Sequence, residues 1–154
     1  MSDDPFSLRR FELAQEEGDA YVRAIAELRG GRKRSHWMWF VFPQIAGLGR
    51  SAMSETYAIS SLAEAIAYLE HPLLGARLRE CARTLTELTG RSAHEIFGAT
   101  DATKLRSSMT LFGRAASEET LFAEVLSDYF DGVADAATEA LLDPTDGSHG
   151  ARAS

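Results

Sequence analysis

Residues 30–51 read GGRKRSHWMWFVFPQIAGLGRS, and the composition of this stretch decides how the rest of the chain must be arranged. A glycine pair and the basic triplet Arg32, Lys33, Arg34 run directly into His36, both tryptophans of the protein, two phenylalanines, Pro43 and Gln44. The consecutive apolar residues Trp37 to Phe42 are too few to span a membrane, which takes roughly 20. They are apolar on every face, so they require burial from more than one side. That is the composition of the middle of a core or the floor of a pocket.

Upstream of this stretch the sequence reads as helices. Asp4-Pro5 looks like a helix entrance, with proline in the first turn where its missing N–H costs nothing. Leu8, Phe11 and Ala14 or Gln15 share one helical face, and Tyr21, Ile25 and Leu28 mark a second helix that Gly30-Gly31 stops. Trp37 to Phe42 reads as a short buried helix ending before Pro43.

Downstream, Gln44 to Arg50 reads as loop, followed by a short helix from Ser51 to Tyr57. Ser61-Leu-Ala-Glu64 has capping-box spacing, with Glu64 reaching back to the Ser61 backbone, and opens a helix through Leu69. From Pro72, the residues Leu74, Leu78, Cys81, Leu85 and Leu88 form the clearest periodic run, ended by Gly90. Ser92-Ala-His-Glu95 repeats the capping-box spacing for a brief helix ending at Gly98. Thr100 or Asp101 is expected to cap the next helix, in which Leu105, Met109, Phe112 and Ala116 share a face. Ser117 is expected to start another, with Leu121 or Phe122, Val125 and Tyr129 inward, and Asp135 to Leu142 to add a short one. No run alternates in the strand period with β-branched enrichment. The expectation is an all-α fold: one compact domain of six to eight helices over residues 1–142, with a flexible polar tail over residues 143–154. Within it, the Pro72 to Leu88 helix is expected to lie against the Lys104 to Ala116 helix.

At 154 residues and 45% hydrophobic content, such a domain buries ~70% of the surface its unfolded chain exposes. A single cysteine, Cys81, excludes an internal disulfide, and no cysteine–histidine cluster has zinc-ligand spacing, which leaves only carboxylates or scattered histidines as routes to a metal; no metal or cofactor is expected. The N-terminus MSDDPFSLRRF has no apolar h-region, which argues against a signal peptide or anchor and for a cytoplasmic protein. A formal charge of -7 argues against general affinity for nucleic acid or anionic membrane. The exception is local: Arg29, Arg32, Lys33 and Arg34 place four of sixteen basic residues within six positions.

Three constellations could carry chemistry. In the first, Arg32, Lys33 and Arg34 beside glycine N–H groups suit a phosphate, Trp37 or Trp39 could stack a ring, and Gln44 opens a glycine-bearing loop. His36 is the histidine beside this cluster, with the chemistry for acid–base work. The alternative for this stretch is a solvated connection followed by core tryptophans. In the second, residues 101–110 hold Asp101, Lys104, Ser107, Ser108 and Thr110; a helix sets Lys104 one turn from Ser107 or Ser108 and pairs Asp101 with Lys104. Its alternative is a capped helix whose small hydroxyl residues allow close packing. The third is Tyr57, Ser60 or Ser61, Glu64 and Tyr68, in which Glu64 serves either a capping box or a site.

The motifs KRSHWMWFVFPQ (residues 33–44) and KLRSSMTLF (residues 104–112), with LRRF at Leu8 to Phe11, Ala14-Gln15, Tyr57-Ala-Ile, AYLEHP at Ala67 to Pro72 and Ile96-Phe97-Gly98, resemble a bacterial family known as domain of unknown function 1810. Some of its members bear the label calpastatin. The resemblance covers roughly Pro5 to Phe130 and implies a compact all-helical domain with no established activity. The third constellation, with Phe97-Gly98 and Asp101, also resembles the N-glycosidase superfamily of ADP-ribose and riboflavin-pathway intermediates, in which such a glutamate sits in the site. The tryptophan-glycine and asparagine-leucine-glycine signatures of that superfamily are missing.

Two functions follow as expectations. As a glycosidic-bond hydrolase, the chain would use His36, Glu64 and Asp101 as acid or base on a nucleotide-like or ADP-ribose-like substrate. Arg32, Lys33, Arg34, Trp37, Trp39, Gln44, Tyr57, Lys104 and Ser108 would bind that substrate. As a binding module, it would hold a phosphorylated small molecule without turnover, or a protein partner, including a second copy of itself.

Overall fold

A computed structural model describes residues 4–143 of the chain. Helices α1 (Arg9–Glu16) and α2 (Ala20–Arg29) are joined by a 3-10 turn at Glu17–Asp19. The aromatic stretch forms α3 (Met38–Val41), and a loop leads to α4 (Ala52–Thr56) and α5 (Leu62–Glu70). Then come α6 (Leu74–Glu87), α7 (Ala93–Ala115), α8 (Leu121–Phe130) and α9 (Ala136–Leu142). The fold is all-α: among the described residues there is no strand, only an isolated bridge between Ile45 and Ile59. No helix there is long and apolar enough to cross a membrane.

The apolar periodicity marks the inward faces correctly. Phe11, Tyr21, Ile25, Leu28, Leu74, Leu78, Cys81, Leu85, Leu105, Met109 and Phe112 are all buried. Phe11 packs edge-on against Tyr68 (5.1 Å between ring centroids), Tyr68 against Phe112 (5.3 Å) and Phe112 against Phe122 (6.2 Å). This run of rings stitches α1, α5, α7 and α8 together, each ring contributing roughly 1.5–3 kcal/mol through burial. Gln15 serves the same core through its amide N–H groups, which donate to the Phe40 carbonyl at 2.8 Å and the Tyr68 hydroxyl at 3.2 Å.

Several boundaries differ from expectation. Helix α6 packs on α2, α5 and α8, while α7 packs on α5, α8 and α9. The strongest neighbours of both helices are thus α5 and α8 rather than each other. Where α6 enters beneath α5, a Cβ on Gly75 would come 2.1 Å from the Leu69 carbonyl oxygen, so the approach requires glycine. Asp4 does not open α1 directly; its carboxylate accepts the N–H groups of Leu8 and Arg9 across the intervening turn. Gly98 breaks α7, with φ 81° and ψ 167°, but the second segment starts immediately after it. Thr100 and Asp101 are therefore inside the helix and cap nothing. Helix α8 begins at Leu121 rather than Ser117, after a turn. Asp143, expected in the tail, follows α9 and accepts a 2.7 Å hydrogen bond from Arg114; residues 144–154 lie outside the described residues.

The aromatic stretch is positioned by one carboxylate on α2. Glu27 Oε1 accepts the N–H of Arg34 (2.8 Å), the N–H of Ser35 (3.1 Å) and the Trp37 indole N–H (2.8 Å), while Oε2 accepts the Ser35 hydroxyl (2.6 Å). Burial alone would raise the Glu27 pKa, but these hydrogen bonds outweigh it and hold the carboxyl at about 2. The Lys33 N–H donates to the Ile96 carbonyl at 2.7 Å, tying the same turn to α7.

A carboxyl with a depressed folded-state pKa adds stability above its unfolded-state value near 4.5, and that stability is lost as pH falls toward about 2. Glu27→Gln should therefore lose about 2 kcal/mol of stability at neutral pH. Urea unfolding as a function of pH checks this: the gap between variant and parent should narrow steadily as pH falls through that window.

Candidate functional site

A surface cleft of about 420 Å³ opens between the loop after α3, the middle of α7 and the start of α9. Gln44, Leu48, Gly49 and Ser54 form one wall; Thr100, Thr103, Lys104 and Ser107 form the α7 wall; Asp135 and Ala137 close the end. Backbone pairing sets the first wall, with the Ile59 N–H donating to the Gln44 carbonyl and the Ala46 N–H to the Ile59 carbonyl, both at 2.8 Å. The end wall is fixed to α7 by Arg106, which donates to the Val133 and Ala134 carbonyls. The Asp135 N–H adds a 2.8 Å bond to the Thr110 hydroxyl.

Hydrogen-bond direction in the cleft floor follows from chemistry. Asp135 Oδ2, an acceptor, takes the Thr138 N–H (2.9 Å) and the Thr138 hydroxyl (2.6 Å), which caps α9. Because Thr138 spends its proton on Asp135, the 2.7 Å contact with Ser107 must be donated by Ser107. On the α7 wall, the Lys104 ammonium stands 5.2 Å from the Trp39 ring centroid and 3.6 Å from Asp101 Oδ1. Asp101 Oδ2 is held at 2.9 Å by Lys33, which lies 5.1 Å from the Trp37 ring centroid. One carboxylate thus bridges two lysines, each set against a tryptophan.

The residues singled out in the sequence are sorted by this geometry. Gln44 and Lys104 line the cleft, and Asp101 and Trp39 stand behind Lys104. Trp37 is fully enclosed and gives its indole N–H to Glu27, so it offers no face for stacking. Lys33 is turned inward to Asp101, whereas Arg32, Arg34 and His36 are exposed outside the cleft lining. Tyr57 packs its ring against Phe11 and Phe40 at 5.8 and 5.5 Å and belongs to the core edge. Ser108 is fully buried, and its hydroxyl has no partner among the described residues. It faces the core, and the neighbouring Ser107 lines the cleft instead.

Glu64 lies in a separate hydrogen-bonded cluster. Only 2% exposed, it pairs with Arg10 at 3.0 Å and accepts both the Ser60 N–H and the Ser60 hydroxyl at 2.8 Å. Its carboxylate reaches Ser60 rather than Ser61, so the expected box is displaced by one residue; Ser61 still caps α5 by accepting the Glu64 N–H. Arg10 also donates to the carbonyls of Phe6, Thr56 and Ala58, so the pair clamps α1 to the segment before α5. Neither Glu64 nor His36 lines the cleft with Lys104.

The family model for proteins of unknown function designated DUF1810 matches residues 5–142. The chain belongs to this family. The DUF1810 chain is also similar to a solved structure, the conserved hypothetical protein Rv1873 from Mycobacterium tuberculosis, with 53% sequence identity and a TM-score of 0.88. That match covers 90% of this chain and 98% of the other. A search of curated proteins gives no match.

Thr100, Thr103 and Asp135 were not singled out as binding residues from the sequence of this DUF1810 chain, although Thr100 and Asp135 stood at expected helix starts. Gly49 and Ser107 fall in the glycine-bearing loop and the hydroxyl-rich segment of the sequence. The clamp role of Glu64 has a direct consequence. Glu64→Gln should lower stability by about 2–3 kcal/mol, because it leaves a partly buried guanidinium without its counter-charge. Chemical denaturation measures that loss; an unchanged midpoint would be inconsistent with the clamp.

Proposed function

We propose that this chain binds a phosphorylated, hydroxyl-bearing metabolite of nucleotide-like or ADP-ribose-like character in the α7–α9 cleft. The observation that carries this reading is the presence of the Lys104 ammonium and the Asp135 carboxylate in the lining of one cleft. An ammonium favours the anionic end of a ligand, and a carboxylate favours hydroxyl donors at the other. The Gln44 amide and the Thr100 hydroxyl add donors and acceptors, while Leu48 and Ala137 supply apolar surface for a carbon skeleton. A volume of about 420 Å³ lies within the usual range for metabolite sites.

Hydrolysis by the groups expected from the sequence would need one of them free to move a proton at the ligand, and His36 lies outside the cleft lining. Asp101 is held by two lysines, Asp135 Oδ2 by the α9 cap, and Glu64 by Arg10 and Ser60. Binding without hydrolysis is accordingly the reading adopted, and the basic triplet is not part of it. Asp101 acts instead as a competitor for Lys104, a neighbouring charge that an incoming phosphate displaces.

The test is a thermal-shift and calorimetric comparison of ribose 5-phosphate, AMP and ADP-ribose with ribose and adenosine. A phosphorylated compound at a hundredfold excess over its Kd should stabilise the protein by about 2.7 kcal/mol. Lys104→Met should abolish the effect, and Asp101→Asn should strengthen binding several-fold by removing the competing charge. Equal response to phosphorylated and unphosphorylated compounds, or a response that survives Lys104→Met, would overturn the proposal. Mass spectrometry of the same mixtures should find the ligand intact.

A further inference from the structure

Outside the cleft, the basic triplet makes a second and independent surface. Its three side chains divide by direction: Lys33 is turned inward to Asp101, and Arg32 and Arg34 are exposed on either side of it. A third guanidinium joins them from another part of the chain. The Arg91 side chain lies over the turn, its Cδ and Nε each 3.0 Å from where a Cβ on Gly31 would stand. Gly31, with φ 74°, leaves room for that stem and supplies the backbone conformation beneath it. Two segments separated by about sixty residues therefore bring three arginines to one turn.

Four acids of α2, α6 and α7 are already committed. Glu27 accepts four hydrogen bonds beneath the turn, Asp101 holds Lys33 and Lys104, Glu95 caps α7 at Ser92, and Glu80 pairs with Arg29. Among the described residues, Arg32, Arg34 and Arg91 pair with no carboxylate. The platform under them is rigid, since the N–H groups of Arg32, Lys33, Arg34 and Ser35 are all hydrogen-bonded inward. Like charges gathered on a preorganised loop, in a chain of net charge -7, form a local positive field that attracts an anion.

We infer that the Arg32, Arg34 and Arg91 surface docks an extended acidic segment of a partner protein. The out–in–out alternation of residues 32–34 follows the two-residue period of an extended chain, in which alternate side chains leave the same side. Carboxylates at alternate positions of an extended peptide follow the same period, and guanidinium–carboxylate pairs are favourable in bidentate geometry. None of the three arginines lines the α7–α9 cleft, which favours a long occupant over an enclosed metabolite. A single-stranded nucleic acid fits less well, because Trp37 is fully enclosed and cannot serve as a stacking platform.

The experiment uses the full chain and fluorescence anisotropy of a labelled peptide carrying glutamate at alternate positions, with its glutamine counterpart as control. The glutamate peptide should bind more tightly at low salt, and Arg32→Ala/Arg34→Ala/Arg91→Ala should weaken it about tenfold or more. Lysine at the same three positions should restore part of the affinity, and Arg50→Ala should leave it unchanged. All three arginines are exposed, so the triple variant should keep the parent's unfolding midpoint. The inference fails if the peptide does not bind or if the triple variant binds it equally well. It also fails if an oligothymidylate of equal charge binds more tightly and is lost in that variant.

Discussion

The rest of this structure depends on the carboxylate of Glu27. Without it, the Trp37 indole would place a polar N–H in a fully enclosed position with nothing to accept it, at a cost of a few kcal/mol. By accepting that N–H together with two backbone N–H groups and the Ser35 hydroxyl, Glu27 fixes where the chain turns between α2 and α3. The aromatic stretch can then enter the core from a defined direction. The same turn sends Lys33 inward and its two neighbours outward.

From that turn, charge is distributed in layers. Lys33 and Lys104 share Asp101, and each ammonium lies against a tryptophan, so a short electrostatic bridge runs from the basic turn to the cleft wall. Lys33 is the more enclosed lysine, its side chain 8% exposed against 21% for Lys104. Its contact with Asp101 is also the shorter one, 2.9 Å against 3.6 Å. The inner pair is structural, and the outer lysine keeps the freedom that a ligand-facing cation needs. A second clamp, Arg10 with Glu64, does comparable structural work where α1 meets the approach to α5.

The two serines at positions 107 and 108 show how narrowly a site can be missed. Successive residues on an α-helix are rotated by roughly 100°, so the first faces the cleft and the second faces the core. Ser107 reaches Thr138 across the α7–α9 contact, while Ser108 is enclosed with an unpaired hydroxyl. Glu64 makes a related point: its spacing from Ser61 is that of a capping box, yet the carboxylate is drawn to Ser60 and Arg10 once α1 is in place. Spacing set the available partners, and packing chose among them.

The sequence by itself determined the all-α class, the inward face of nearly every helix, and the burial of the stretch from Trp37 to Phe42 except for Trp39, which is half-buried. These are consequences of local covalent geometry: 3.6 residues per turn, glycine and proline at breaks, and too much aromatic surface to leave in water. Tertiary structure decided which polar groups meet. That Glu27 takes the Trp37 indole, that Asp101 serves two lysines, and that Arg91 joins the basic turn all depend on how helices distant in sequence are rotated and stacked. Ring packing among Phe11, Tyr68, Phe112 and Phe122 sets those rotations, and no spacing within a single helix encodes them.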